Sequence, residues 1–168
     1  MNKAVTVGSF DPVTIGHMWI FETAARMFDE FVIVIGTNPD KHYKYNQKDR
    51  QELIQKACDN IGLKNVTIAT IGTEFICDYA ESIGANFIVK GLRDATDLDY
   101  EKKQLRANTD MNPEIATVFL VSPANLEYIS SSFVKGFIGY KNWEEKIGRY
   151  LPDHVKDFMI EFEKNKKV

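Results

Sequence analysis

Short apolar runs alternate along the chain with longer stretches in which apolar residues recur at helical spacing. The runs are rich in β-branched residues and apolar at successive positions, which is typical of parallel strands covered on both faces. They predict five strands, at Ala4–Val7, Phe31–Ile35, Val66–Ala69, Phe87–Val89 and Ala116–Val121. The alternation therefore predicts a Rossmann-like α/β fold, a doubly wound five-stranded parallel sheet with helices on both faces.

The intervening stretches predict helices, and some of their ends carry terminal signals. Asn46 is a plausible N-cap, and Gly84 and Gly139 are plausible C-terminal stops. The predicted helices are Gly16–Phe28, Gln47–Ile61, Thr73–Ile83, Asp97–Met111, Ser130–Ile138 and Asp153–Lys164. Because the sequence contains neither internal repeats nor a linker-like segment, we expect one domain over residues 1–168.

Composition narrows the class of protein. Hydrophobic residues make up 44% of the chain and charged residues 27%, which is ordinary globular usage, and the net charge of -3 gives no reason to expect a nucleic-acid partner. No apolar run approaches the roughly 20 residues of a membrane span. Cys58 and Cys77 match neither a CxxC pair nor a zinc knuckle. We expect a cytoplasmic protein with reduced thiols that binds neither membranes nor nucleic acid.

Groups that bind phosphate follow four of the five predicted strands. Ligands of a parallel sheet bind beyond the carboxyl ends of its strands, so these groups should meet at one edge. Cations, hydroxyls and free helix N–H groups all bind phosphate. Together they predict a ligand with several phosphates. The segments are Gly8-Ser9, Asn38–Lys41, Lys90–Arg93 and Ile129–Ser132.

The first of these segments opens a turn that leads into a helix. Gly8 lets the backbone approach a ligand, Pro12 and Gly16 shape the turn, and His17 falls in the first helical turn. The sequence lacks both GxxxxGK[ST] and GxGxxG after this strand, which argues against a P-loop NTPase or an ordinary dinucleotide fold. It also lacks a serine–histidine–acid order and the spacing of a protein-held metal site.

These segments resemble the signatures of one family. Ser9–His17 is similar to the (S/T)-F-D-P-x-T-x-G-H motif of phosphopantetheine adenylyltransferases, members of the HxGH-type nucleotidyltransferase superfamily. The resemblance runs in order over roughly residues 3 to 160. Four further segments match: Ile129–Lys135 (I-S-S-S-x-V-K/R), Lys90–Arg93 (R-G-L-R), Asp97–Glu101 (D-F-E-Y-E) and Asp78–Ala80 (D-F-A).

The resemblance implies an activity and a set of site residues. The family transfers AMP from ATP to the 4′-phosphate of phosphopantetheine, giving dephospho-coenzyme A and pyrophosphate in coenzyme A biosynthesis. Catalytic roles would fall to His17, Lys41 and Arg93, with His17 stabilising the transition state. The acceptor would bind Ser9, Lys41, Lys90 and, along the pantetheine arm, Ile76. ATP would bind Ser9, the Phe10 amide, His17, Gly91, Leu92, Arg93, Glu101, Leu126, Glu127, Tyr128, Ile129, Ser130, Ser131 and Ser132.

The resemblance also implies a cofactor and an assembly. Mg²⁺ would be held mainly by ATP and water, coenzyme A would bind as a feedback ligand, and the chain would form a homohexamer of two trimers. Lys90 stands where the family usually has arginine, and Leu126–Tyr128 where it often reads Y-S-F. These departures leave nicotinamide-mononucleotide adenylyl transfer or glycerol-phosphate cytidylyl transfer as alternatives. A nucleotide-binding module without catalysis is a further alternative.

Overall fold

A single parallel sheet organises the molecule in the computed structural model, which describes residues 1–166. The last two residues of the predicted domain 1–168 lie outside this range. The strands are β1 Lys3–Gly8, β2 Glu30–Gly36, β3 Val66–Ile71, β4 Phe87–Leu92 and β5 Ala116–Val121. The strand order is β3-β2-β1-β4-β5, so the order reverses between β1 and β4. Such a reversal opens a crevice at the carboxyl edge of the sheet.

Helices connect and flank the strands, and they confirm the predicted doubly wound α/β architecture. The cap at Asn46 is confirmed, because its side-chain oxygen accepts a hydrogen bond from the Asp49 N–H at 2.8 Å. The helices are α1 Ile15–Met27, α2 Gln47–Asn60, α3 Ile76–Ser82, α4 Ala95–Met111, α5 Ser131–Lys135, α6 Trp143–Lys146 and α7 Asp153–Asn165, with a 3₁₀ turn at Ile147–Tyr150.

The core has two parts, one on each face of the sheet. Alternate residues of β2 divide between them: Phe31 and Ile33 pack with α1 and α7, whereas Val32 and Val34 pack with α3. Both sets of side chains leave water. This is why residues Phe31–Ile35 of β2 are all apolar and could be recognised as a continuous apolar run.

The structure corrects several predicted boundaries. β4 extends past Val89 to Leu92, because its last residues continue to pair with β5, so Lys90 and Gly91 lie within a strand rather than after it. The helix expected at Ser130–Ile138 ends at Lys135, and the chain continues in turns to Gly139, which has a φ of 91°. Gly139 is therefore not the helix stop.

Two further helix predictions were incomplete. The helix expected from Thr73 begins at Ile76, and α6 with its 3₁₀ turn was not foreseen. α6 has four residues, too few for a periodic pattern, and buries Trp143 and, just after it, Ile147. The stop at Gly84 is confirmed by its φ of 69°. In the described part of the chain, every helix is too short or too polar to cross a membrane.

Candidate active site

A cleft of about 300 Å³ lies at the carboxyl edge of the sheet, where the strand order reverses between β1 and β4. The turn between β1 and α1 forms one wall, and β4 with the first turns of α4 forms the opposite wall. The segment before α5 closes one end. The predicted residues that line it are Ser9, Phe10, His17, Lys90, Gly91, Arg93, Glu101, Leu126, Ile129, Ser130, Ser131 and Ser132.

Five predicted residues lie outside this lining. The Leu92 side chain is buried and does not line the cleft. Glu127 and Tyr128 are exposed. Lys41 is exposed on the loop between β2 and α2, and Ile76 opens α3 and packs against the core on the α3 face. Their binding roles stay predictions.

The Phe10 ring lies against Gly8 in the turn between β1 and α1. The Phe10 φ of 46° is left-handed, and its ring lies edge-on to His17 with the centroids 5.1 Å apart. A Cβ placed on Gly8 would lie 2.7 Å from this ring. The glycine therefore makes room for Phe10, a reason for its presence that differs from the predicted approach of a ligand.

Thr14 and His17 form a reciprocal cap at the start of α1. The Thr14 hydroxyl accepts from the His17 N–H at 3.4 Å, and the Thr14 backbone N–H donates to Nδ1 of His17 at 3.0 Å. A backbone N–H can only donate, so Nδ1 must be the unprotonated nitrogen. The proton of the neutral ring therefore lies on Nε2, and His17 enters the cleft as a hydrogen-bond donor.

The surroundings of His17 keep the imidazole neutral. Burial, and after it the positive charge of Arg93, lowers the pKa of His17 to about 4. A ring with this pKa carries no charge near neutral pH. Its Nε2–H can stabilise negative charge that develops on a phosphate, without acting as a base.

Arg93 is held in place by a carboxylate that sequence reasoning did not assign to the site. Its Nε and Nη2 atoms donate to Asp97 at 2.8 and 2.9 Å, and its backbone N–H donates to the same carboxylate at 3.1 Å. The hydrogen bond with Asp97 raises the pKa of Arg93, and the same bond lowers the pKa of Asp97. Two parallel bonds fix the plane of the guanidinium, whose remaining N–H groups are left for a ligand.

Lys90 and Glu101 face each other across the floor of the cleft. Lys90 Nζ lies 3.4 Å from Glu101 Oε2, and both side chains are only 16% exposed. The family resemblance implied that they bind different substrates, whereas the structure pairs them with each other. A lysine offers one ammonium point charge where an arginine would offer a planar fork. Ligands that engage either residue therefore compete with this ion pair.

The serine hydroxyls at the start of α5 are already partly used. The Ser130 hydroxyl accepts from the Phe133 N–H at 3.1 Å, and the Ser131 hydroxyl donates to the Pro12 carbonyl at 2.7 Å. This second bond joins α5 to the turn between β1 and α1. The segment thus serves first to hold two walls of the cleft together, while Ser132 stays exposed.

Buried Asp11 connects the turn between β1 and α1 with α5 and with the loop between β2 and α2. Its buried carboxylate accepts from Lys135 Nζ at 2.7 Å and from the backbone N–H groups of Lys44 and Tyr45, each at 3.0 Å. Burial alone would raise the pKa of Asp11, but these hydrogen bonds outweigh it and lower the pKa. The carboxylate therefore joins the first turn to α5 and to the loop that carries Lys41.

The C-terminal helix clamps the same loop from the other side. Lys44 Nζ pairs with Glu163 on α7 at 2.7 Å, with both side chains largely buried. The Tyr45 ring lies edge-on to Phe158 and Phe162, with centroid distances of 5.3 and 4.9 Å. The end of the Lys41 loop is thus seated on α7 and on Asp11 together.

Comparison with known proteins identifies the family. Residues 5–137 match the cytidylyltransferase-like family model. A phosphopantetheine adenylyltransferase from Chromobacterium violaceum is 41% identical over 160 residues, which cover 95% of this chain and 96% of that protein. The chain belongs to the phosphopantetheine adenylyltransferase family. The enzyme of that name from Lactobacillus gasseri is 38% identical over 80% of each chain.

Solved structures support the fold of this phosphopantetheine adenylyltransferase family member. The nicotinic acid mononucleotide adenylyltransferase of Plasmodium falciparum, solved with NaAD, has a TM-score of 0.74 over 96% of this chain and 95% of that one. A putative nicotinate-nucleotide adenylyltransferase from Vibrio parahaemolyticus has a TM-score of 0.69 over 96% and 93%. Their sequences are 16% and 17% identical to this one, so the likeness concerns the fold alone.

The structure adds residues to the predicted site of this family member. Asp11, Thr14, Asp97 and Lys135 each hold a predicted site residue or its loop through a hydrogen bond. Two of them have a sequence signal. Asp97 follows Arg93 by four positions, and Thr14 precedes His17 by three, which are the spacings of neighbours on a helix. The contact of Asp11 with Lys135 joins distant parts of the chain and has no such signal.

Proposed function

We propose that this protein transfers the adenylyl group of ATP to the 4′-phosphate of phosphopantetheine, with release of pyrophosphate. The observation that carries the proposal is the donor set of the cleft. The neutral Nε2–H of His17 and the oriented guanidinium of Arg93 line the same cavity, where the carboxylates of Asp97 and Glu101 are each paired with a cation. The family relationship supplies the acceptor.

The proposed reaction needs orientation and charge stabilisation more than it needs a base. An oxygen of the acceptor phosphate attacks the α-phosphorus of ATP, and the bond from that phosphorus to the bridging oxygen of pyrophosphate breaks. The departing pyrophosphate takes the electron pair of that bond. Because a phosphate oxygen near neutral pH is already unprotonated, no side chain has to accept a proton. Two polyanions must nevertheless be brought together and their charge balanced.

The described residues divide the proposed work by position. His17 would donate to the α-phosphate, and Arg93 to the phosphates that leave. Lys90, with Lys41 reaching in from its exposed loop, would bind the acceptor phosphate. Ile76 would lie along the pantetheine arm. The remaining predicted ATP contacts would come from Ser9, Phe10, Gly91, Leu92, Glu101 and the segment from Leu126 to Ser132.

Mg²⁺ fits this cleft as an ion carried by ATP. No cluster of three or more metal-ligating side chains occurs within residues 1–166. The two carboxylates that line the cavity, Asp97 and Glu101, already pair with Arg93 and Lys90. Triphosphate oxygens and water would therefore supply the ligands, which suits an ion that retains several waters. When bound, Mg²⁺ would neutralise part of the triphosphate charge.

We further propose a homohexamer of two trimers, feedback binding of coenzyme A in the cleft and a cytoplasmic location. Exposed apolar side chains support an oligomer. Val121 is 71% exposed at the edge strand β5, and Tyr100 is 61% exposed on α4. A second subunit that covered these two side chains would remove them from water.

Turnover with different acceptors tests the proposed function. With ATP and Mg²⁺, we expect pyrophosphate release to depend on phosphopantetheine and to be far slower with nicotinamide mononucleotide. Glycerol phosphate with CTP serves as a third pairing. Faster release with either alternative acceptor would contradict the proposal, and the absence of release with every acceptor would favour a binding module without catalysis.

The dependence of turnover on pH follows from the state of His17. Because the pKa of His17 is lowered to about 4, acidification from pH 8 to 5 leaves the ring neutral. The acceptor phosphate, with a second pKa of about 6, gains a proton in this range. We expect kcat/KM for the acceptor to fall below about pH 6 and to be flat above it.

The His17→Gln variant separates the two groups. Its residual kcat/KM should fall at the same pH as that of the unchanged protein, because the decline below about pH 6 comes from protonation of the acceptor phosphate. If kcat/KM of this variant did not fall below about pH 6, His17 would be the group that titrates there. That result would contradict the assignment of a neutral donor.

A further inference from the structure

A buried arginine contacts the turn between β1 and α1 that forms one wall of the cleft. Arg50, on α2, is only 2% exposed. No ion pair among residues 1–166 includes it. Its Nη1 atom donates to the Ser9 carbonyl at 2.6 Å, its Nε atom donates to the Asn46 carbonyl at 3.4 Å, and its guanidinium lies 4.3 Å from the centroid of the Tyr43 ring. Burial lowers the pKa of Arg50, and the charge of Asp11, which lies beyond ion-pair distance, acts in the opposite direction. Burial of a cation without a carboxylate in direct contact is costly, so these contacts call for an explanation beyond packing.

The Ser9 carbonyl belongs to the peptide unit that also contains the Phe10 N–H. A peptide unit is planar, so fixing the carbonyl oxygen also fixes the direction of the N–H on its opposite side. Ser9 and Phe10 both line the cleft. Among the hydrogen bonds of the described chain, none uses the Phe10 N–H as a donor. This donor is therefore available to a ligand.

The conformation of Phe10 needs support from its neighbours. A φ of 46° is unfavourable for a bulky residue, and such a conformation persists only where the surroundings hold it. The charged bond from Arg50 to the Ser9 carbonyl supplies one such hold. A cationic donor on the carbonyl also polarises the peptide unit, which strengthens its N–H as a donor.

We propose that Arg50 is a positioning residue for the phosphate site. It holds the Ser9–Phe10 peptide so that the Phe10 N–H faces the polyphosphate of ATP, and it does so from beneath the loop. The inference rests on the proposed function for the identity of the ligand. The chemistry that it requires of that ligand is a di- or triphosphate.

A different role for Arg50 makes a different prediction. Its contacts with Tyr43 and Asn46 lie in the loop that carries Lys41. If Arg50 served only that loop, its loss would weaken binding of the acceptor. If it positions the Phe10 N–H, its loss weakens binding of polyphosphate even when no acceptor is present.

Calorimetric titration of the full chain with magnesium pyrophosphate, and separately with phosphopantetheine, distinguishes these roles. We expect Arg50→Met to weaken pyrophosphate binding by about 10- to 100-fold, since a hydrogen bond from a charged donor is lost. The pyrophosphate affinity of Arg50→Lys should lie between that of the unchanged protein and that of Arg50→Met. The lysine ammonium can reach the Ser9 carbonyl but cannot also bind the Asn46 carbonyl. Acceptor affinity should change by less than pyrophosphate affinity in both variants.

Asn65→Ala provides the matched control for loss of a structural bond. The Asn65 side chain donates to the carbonyls of Ala25 and Phe28, both at 2.9 Å. Asn65 directly precedes β3, so it lies at the amino ends of the parallel strands, opposite the cleft at their carboxyl ends. Its removal should lower the melting temperature and leave pyrophosphate affinity unchanged. A loss of pyrophosphate affinity in this variant equal to that of Arg50→Met would overturn the specific role of Arg50.

The amide of Phe10 gives a direct signature. The sequence contains two Ser–Phe pairs, Ser9-Phe10 and Ser132-Phe133, so labelling serine carbonyl carbon and phenylalanine nitrogen selects two amides. The Phe133 N–H already donates to Ser130 and serves as the internal reference. In the ligand-free protein, Arg50→Met should move the Phe10 amide proton upfield and leave Phe133 in place. Pyrophosphate should move Phe10 downfield in the unchanged protein and less in the variant.

Two further results would overturn the proposal. One is normal pyrophosphate binding by Arg50→Met together with weakened acceptor binding. The other is an unchanged Phe10 resonance in that variant. Should Arg50→Met fail to fold, the same two readouts apply to Arg50→Lys. Neither measurement needs turnover, so a protein that binds pyrophosphate but does not adenylylate phosphopantetheine would contradict the proposed function and leave the role of Arg50 intact.

Discussion

Replacing His17 with alanine is expected to lower kcat by about 10²- to 10³-fold, the loss that follows removal of one positioned donor to a developing anion. The KM values should change less, because the bond from Nε2 strengthens as charge accumulates in the transition state. Steady-state rates of pyrophosphate release measure the effect. The fold should persist, since the variant loses only one half of the cap that Thr14 and His17 form.

Two further variants show whether the effect belongs to the donor. His17→Gln retains an N–H that can reach the position of Nε2, so it should recover part of the lost rate. His154→Ala removes a histidine that does not line the cleft and whose Nε2 lies 3.0 Å from the Leu53 carbonyl, so it should leave kcat unchanged. Near-normal turnover by His17→Ala would contradict the assignment.

Replacing Lys135 with methionine is expected to lower the free energy of unfolding by about 3 kcal/mol, the cost of leaving a buried charge without its partner. Asp11 is 3% exposed and would keep only its two backbone donors. Denaturant unfolding measures the loss, with an unchanged m-value as evidence that the two end states are comparable. Since the pKa of Asp11 is lowered, this stabilisation is complete above about pH 4 and declines below it.

A double-mutant cycle isolates the pair. Asp11→Asn removes the buried charge, so Asp11→Asn with Lys135→Met should cost less than the sum of the single changes. Lys48→Met is the control, because Lys48 and Glu52 form an ion pair at 3.8 Å with both side chains mostly exposed. It should change stability by less than about 0.5 kcal/mol. Equal effects of Lys135→Met and Lys48→Met would contradict a buried ion pair.

The strands and the location of the cleft could be predicted from local signals. β-branched runs such as Phe31–Ile35 are apolar at every position because both faces of the strand are buried, and all five predicted strands are present. The carboxyl-edge rule then placed His17 and Arg93 in one site, and both line the cavity. These inferences need only the spacing of apolar residues along the sequence and the common direction of parallel strands.

The supports of the site could not be predicted because they depend on tertiary contacts. Asp11 was recognised only as a member of the motif Ser9–His17, and nothing near it in sequence indicates Lys135 or the loop at Lys44. Arg50 follows a helical pattern in which an arginine ordinarily faces water. Its burial depends on the approach of the Ser9 carbonyl, which only the folded chain brings within reach.

The clamp of α7 on the loop of Lys41 has a consequence for the order in which the protein is made. The ribosome releases Lys44 and Tyr45 long before it adds Phe158, Phe162 and Glu163, which seat them. The strands are all made before α7, and until this last helix has emerged the loop has only its hydrogen bonds to Asp11 and lacks its contacts with α7. A growing chain therefore passes through a stage in which all five strands have been made but the loop of Lys41 lacks its contacts with α7.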